Sequence, residues 1–266
     1  MHHDALEPSR PDAMESRLSS YRFLKVRGHR IAYRTCGSED GQAVVLIHAF
    51  ASQSASWRTT AQALAHQGFR VIAPDLRGHG RSQRTATYAI MDFEQDLIAL
   101  LDALELQDVH LIGHSLGGHL ALKLATHQPD RIQRLVVEAA PVPPADDADA
   151  ASLAAARTKR SLQSVGMGRL LRLVLMRRFD LRAARFVLPE LRRPMPDWWR
   201  RLAALPTPCL LLASADDGLV TARLPLLASQ LPHATTRQLG RGHRLHGEHA
   251  EAFLAAVIPF LRDASH

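Results

Sequence analysis

Short runs of apolar residues alternate along the chain with longer stretches whose apolar positions recur every three or four residues. The run AVVLIH at 43–48 is unbroken, which is the pattern of a strand buried on both faces. RVIAPD (70–75), VHLIG (109–113), RLVVEAA (134–140) and PCLLLASA (208–215) read the same way, and TTRQL (235–239) adds a last strand. FLKV (23–26) and IAYRT (31–35) flank Gly28, His29 and Arg30 and predict an opening hairpin. Helices are predicted between the later strands, over about 55–67, 91–105, 116–128, 222–231 and 248–262. In the second of these, Phe93, Leu97, Leu100, Leu101 and Leu104 fall on one stripe.

The alternation stops at 141–206. That segment opens with the turn-rich, acidic PVPPADDADA and continues as an Arg- and Leu-rich stretch of helical character. The pattern predicts an α/β protein with a mostly parallel sheet of about eight strands and helices on both faces. Residues 21–140 and 207–266 would form the core, 141–206 a small inserted helical cap, and 1–20 a disordered tail.

Composition narrows the picture. The formal charge is +7, yet residues 157–201 hold 13 of the 33 basic residues and only 3 of the 26 acidic ones, so the rest of the chain is net negative. The basic character belongs to the cap. Two cysteines, Cys36 and Cys209, make no disulfide framework. The first 20 residues lack an apolar signal core, and no run approaches the ~18 apolar residues of a membrane span. A cytoplasmic location is expected. Aromatic residues are 5% and no nucleic-acid module is visible, so nucleic-acid binding is not expected.

The chemistry centres on GHSLG, Gly113 to Gly117, which fits G-x-S-x-G. A strand precedes it and a helix follows, as a nucleophile on a tight strand-to-helix turn requires. The bland reading is a helix start with Ser115 as its N-cap. A serine nucleophile needs a base, and the base an orienting acid. Asp216 and Asp217 follow one predicted strand end, His243 follows the next, and the order Ser, Asp, His is the one this turn type uses.

With VVLIHAF (44–50), APDLRGHGRS (73–82), GHSLGG (113–118), LLLASADDGLV (210–220) and GRGHRLHGE (240–248) in that order, the chain resembles the α/β-hydrolase superfamily over roughly residues 22 to 262. The resemblance implies Ser115 as nucleophile and His243 as general base. It favours Asp217 as the acid, with Asp216 and Glu138 as alternatives. It implies an oxyanion hole from the backbone N–H groups of Phe50 and Leu116. Ala49 stands where the family commonly has glycine, which is awkward if its φ is positive. His48 is expected to support the oxyanion loop, and Asp75, Arg77 and His79 to organise a turn. No cofactor and no metal is expected. His243, His246 and His249 are spaced three apart, but His246 and His249 read as solvated or capping.

The cap raises the substrate question. Arg169 and Arg172 are candidates for a basic rim that attracts an anionic acyl substrate, a coenzyme A ester or an acidic acyl carrier protein. Peripheral membrane contact is a further, less favoured reading. Trp198 and Trp199 either line an acyl pocket or anchor the cap. The expected activity is hydrolysis of a carboxylic ester, thioester or lactone through an acyl-enzyme. The alternatives are a C–C bond hydrolase, a cofactor-free haloperoxidase or lyase, and a small-molecule receptor that keeps the triad.

Overall fold

The structure is a computed structural model that describes residues 18–160 and 179–263. The strands are β1 (Arg22–Val26), β2 (His29–Cys36), β3 (Ala43–Ile47), β4 (Arg70–Pro74), β5 (Val109–His114), β6 (Ile132–Glu138), β7 (Cys209–Ala213) and β8 (Ala234–Gln238). They pair in one eight-stranded sheet, in the order β1-β2-β4-β3-β5-β6-β7-β8. The β1–β2 hairpin and the β2–β4 pair are antiparallel, and the remaining pairs are parallel. The chain is therefore an α/β protein with a mostly parallel sheet, as its alternation predicts.

The unbroken run in β3 has a direct cause. Val45 and Ile47 face one core layer while Val44 and Leu46 face the other, so neither face can be polar. One layer packs α2 (Ile90–Ala103) and α3 (Leu116–His127) on the sheet. Phe93, Leu97, Leu100 and Leu101 are buried there, each contributing on the order of 1.5–3 kcal/mol. The other layer holds α1 (Arg58–His66), entered through a 3₁₀ turn (Ser54–Trp57), with Trp57 fully buried.

Between β6 and β7 the described residues form α4 (Asp147–Arg160), α5 (Ala183–Glu190) and α6 (Pro196–Leu202). After β7 come α7 (Leu219–Gln230), the short α8 (Leu245–Glu248) and α9 (Ala250–Arg262). Polar bonds tie the segment between β6 and β7 to the rest of the fold. Arg223 of α7 donates to both carboxylate oxygens of Asp149, each at 2.7 Å. The Tyr88 hydroxyl donates to Asp180 at 2.7 Å.

The start of the chain departs from expectation. Leu18 is buried, and the Ser19 amide donates to the Thr35 carbonyl at 2.7 Å, so residues 18–20 belong with the core rather than with a tail. No helix among the described residues is long and apolar enough to cross a membrane.

Candidate active site

The parallel strands deliver their C-terminal ends to one edge, where open α/β sheets place their sites. Ser115 stands directly between β5 and α3. Its backbone has φ 52° and ψ −117°, a left-handed conformation costly for a residue with a Cβ. The turn closes because glycine flanks it. A Cβ on Gly113 would lie 2.2 Å from the Gly117 carbonyl oxygen, and one on Gly117 would lie 2.1 Å from that of Ile47. The Ser115 amide donates to the Glu138 carbonyl at 2.8 Å, which pins the turn to β6. Ser115 occupies the N-cap position of α3, yet its hydroxyl makes no capping bond.

His243 and Asp217 meet across 26 positions of sequence: Nδ1 of the ring lies 2.7 Å from Asp217 Oδ2. This bond raises the pKa of His243 above its ordinary value, against the opposing effect of burial. The ring is oriented with Nδ1 toward the carboxylate, which leaves Nε2 to serve as a base. Asp216 turns elsewhere. It accepts from the Gly242 amide at 2.8 Å and from Arg241 Nε at 3.1 Å, and so shapes the loop that carries His243.

Glu138 does not contact His243 by hydrogen bonding. Its Oε2 lies 2.6 Å from Nδ1 of His246, whose amide donates to Oε1 at 3.1 Å. His246 is 1% exposed, so the expectation of a solvated histidine is wrong. It stacks on Trp57 with ring centroids 3.9 Å apart. Burial pushes the Glu138 carboxyl upward, but the hydrogen bonds from the His246 ring and amide outweigh it and hold the group below the usual carboxylate range. His249, by contrast, bonds through Nε2 to the main chain of Arg241 and braces the 240–249 loop.

His114, Glu138 and His246 bring nitrogen and oxygen donors within 4.8 Å of one another. Hydrogen bonds employ both Glu138 oxygens, His246 Nδ1 and His114 Nε2, while His246 Nε2 has no hydrogen-bond partner among the described residues. The trio was not anticipated from sequence, where the three-residue spacing drew attention to His243, His246 and His249 instead.

Phe50 lies in the turn after β3, and Leu116 is the first residue of α3, next to Ser115. The strain expected at Ala49 lies two residues on: Ala51 has φ 57°, and Ala49 is not left-handed. The Ala51 amide donates to His79 Nε2 at 3.1 Å, which fixes this conformation. His48 Nε2 accepts from the Leu76 amide at 3.0 Å, so its Nδ1 carries the proton given to the Ala49 carbonyl at 2.7 Å. Burial lowers the pKa of His48 to about 4 and keeps it neutral. Asp75 accepts from the Ser54 amide at 2.7 Å and the Arg81 amide at 2.8 Å, and Arg77 grips both oxygens of Asp96. These residues organise turns, as read from sequence.

Trp198 and Trp199 are buried in α6. Trp198 stacks on His119 of α3 at 5.3 Å, and Trp199 Nε1 donates to the Pro143 carbonyl at 3.3 Å. They fasten α6 to the core. Arg169 and Arg172 lie outside the described residues.

Comparison with known proteins identifies the fold family. The family described as the alpha/beta hydrolase fold matches residues 42–205. The chain belongs to the α/β-hydrolase fold family. Among its relatives, the non-heme chloroperoxidase of Streptomyces lividans is 39% identical over 119 residues, 44% of this chain and 43% of that protein. An epoxide hydrolase of Caballeronia sordidicola is 42% identical over 96 residues, 35% of this chain and 29% of that protein. The chain thus matches well under half the length of these curated relatives. A solved hydrolase from Pseudomonas aeruginosa PA01 superposes with a TM-score of 0.69 at 28% identity, covering 91% of this chain and 98% of that one.

Proposed function

We propose that this protein is a serine hydrolase that cleaves a carboxylic ester, thioester or lactone through an acyl-enzyme. The observation that carries the reading is the 2.7 Å bond between His243 and Asp217, presented at the same sheet edge as a serine whose hydroxyl is not used for capping. In this mechanism His243 Nε2 takes the Ser115 proton as Oγ attacks the carbonyl carbon. The Phe50 and Leu116 amides hold the oxyanion, and the protonated ring donates to the leaving group. Water, activated by the same ring, then attacks the acyl carbon and releases the acid and Ser115. Asp217 stays ionised throughout and stabilises the imidazolium.

The substrate is drawn from anionic or carrier-linked acyl compounds, because residues 157–201 concentrate basic side chains that would attract an anion. The likeness to the Streptomyces lividans chloroperoxidase supports a second reading, a peroxide-using reaction on the same triad. A panel of esters varied in acyl length and leaving-group charge, run beside a peroxide-dependent halogenation assay, separates the two. Ester turnover that disappears in Ser115→Ala supports the hydrolase. Halogenation without ester turnover supports the second reading.

A further inference from the structure

We propose that Glu138 is a positioning residue for His243, acting through His246 and His114 rather than by direct contact. The proposal rests on the triad reading above. Glu138 ends β6 with its side chain wholly buried, and it is paired with a histidine rather than with lysine or arginine. Removing a carboxylate from water costs several kcal/mol unless geometry and hydrogen bonds offset it. Here both oxygens are matched, one by the His246 ring and one by its amide. Among the described residues the His246 ring has no other polar anchor: its buried Nε2 meets no hydrogen-bond partner there, and Trp57 covers its face.

The pair reaches both ends of the active site. Through its main chain Glu138 accepts the Ser115 amide and holds the nucleophile turn. Through His246 it fixes the segment that begins at His243. His114 links the two, its ring 5.0 Å from that of His243 and 5.0 Å from that of His246. His114 Nε2 donates to the His243 carbonyl at 2.8 Å. A carbonyl can only accept, so Nε2 carries the proton; burial keeps the ring neutral by lowering its pKa to about 4.

Charge adds to geometry. The groups facing His243 are Asp217 after β7, Glu138 on β6, His114 on β5 and Glu248 on α8. His114 is neutral, so the imidazolium formed during turnover sees three carboxylates. Glu138 is the one buried deepest, where its field is screened least.

The test uses Glu138→Gln, which keeps shape and one acceptor but deletes the charge. Active sites are counted by fluorophosphonate titration, so a fold defect is read separately from a catalytic one. Per active site, kcat is expected to fall about tenfold or more with KM within about twofold, and the acid limb of the kcat/KM profile to move to lower pH. Glu138→Asp should restore part of the loss. In the unmutated protein, ¹⁵N-histidine NMR should show His114 protonated at Nε2 only, and His246 protonated at Nδ1. An unchanged kcat and pH profile in Glu138→Gln, or a His246 with bare Nδ1, overturns the proposal. Absence of any fluorophosphonate adduct in the wild type overturns the triad reading instead.

Discussion

Asp217 Oδ2 lies 2.7 Å from His243 Nδ1, while its neighbour Asp216 bonds to Arg241 and the Gly242 amide. Two adjacent carboxylates thus have different work, one on the ring and one on the loop beneath it. Asp217→Asn should lower kcat on the order of 10³- to 10⁴-fold, because the amide no longer enforces the tautomer or stabilises the imidazolium. Asp216→Asn should stay within about tenfold, since a loop bond is weakened but the ring keeps its acid. Steady-state kinetics of the two variants on one activated ester decide the assignment.

The backbone at Ser115 stores strain that glycine would relieve. With φ 52° and no capping bond from its hydroxyl, Ser115→Gly should stabilise the fold by about 1 kcal/mol while abolishing turnover. Urea denaturation of the two proteins measures the difference. Equal or lower stability of the glycine variant would show that the conformation carries no cost.

Buried neutral histidines set the acid limit of the fold. His48, His110, His114 and His119 are lowered to about 4 and His79 to about 3, all chiefly by burial. Between pH 6.5 and 4 the unfolded chain binds these protons and the folded chain does not, so stability is complete above the ordinary histidine pKa and falls as pH drops. Each group contributes up to about 1.4 kcal/mol per pH unit. Five together exceed a typical reserve of about 5–15 kcal/mol before pH 4 is reached. His243 works in the opposite sense, its raised pKa favouring the fold at low pH, but it is a single group. Circular dichroism against pH should show cooperative unfolding above pH 4.

The pH–rate profile follows from the same signs. His243 must be neutral to accept the Ser115 proton, and Asp217 raises its pKa. The acid limb of kcat/KM should therefore lie above pH 6.5, the ordinary histidine value, with activity present above it and lost below.

The cap's charge predicts a salt response. Arg185, Arg192, Arg193 and Arg200 are exposed in the described part of the segment between β6 and β7. Turnover of an anionic ester should fall with ionic strength while that of a neutral isostere holds steady. Equal sensitivity of both would remove the basic rim from substrate recruitment.

Much of this was legible in the order of residues. The unbroken run of β3 and the strand–turn–helix around Ser115 follow from local pattern, and the placement of Asp217 and His243 follows from strand ends. Pairings between distant residues carry no such local mark. Glu138 and His246 lie 108 positions apart. The strand end makes Glu138 visible as a candidate acid, but nothing near His246 announces burial against Trp57. The loop after β3 shows the same limit. A missing glycine points to strain at Ala49, yet the left-handed residue is Ala51, held by a histidine from another loop.

The proposed reaction begins at Ser115 as the nucleophile. Rapid quench of the enzyme with an activated ester, followed by intact-mass and peptide analysis, tests it directly. The predicted result is one acyl adduct per chain, on the peptide containing Ser115, which forms in a burst and decays at the steady-state rate. An adduct on another residue, or full turnover by Ser115→Ala, would contradict it.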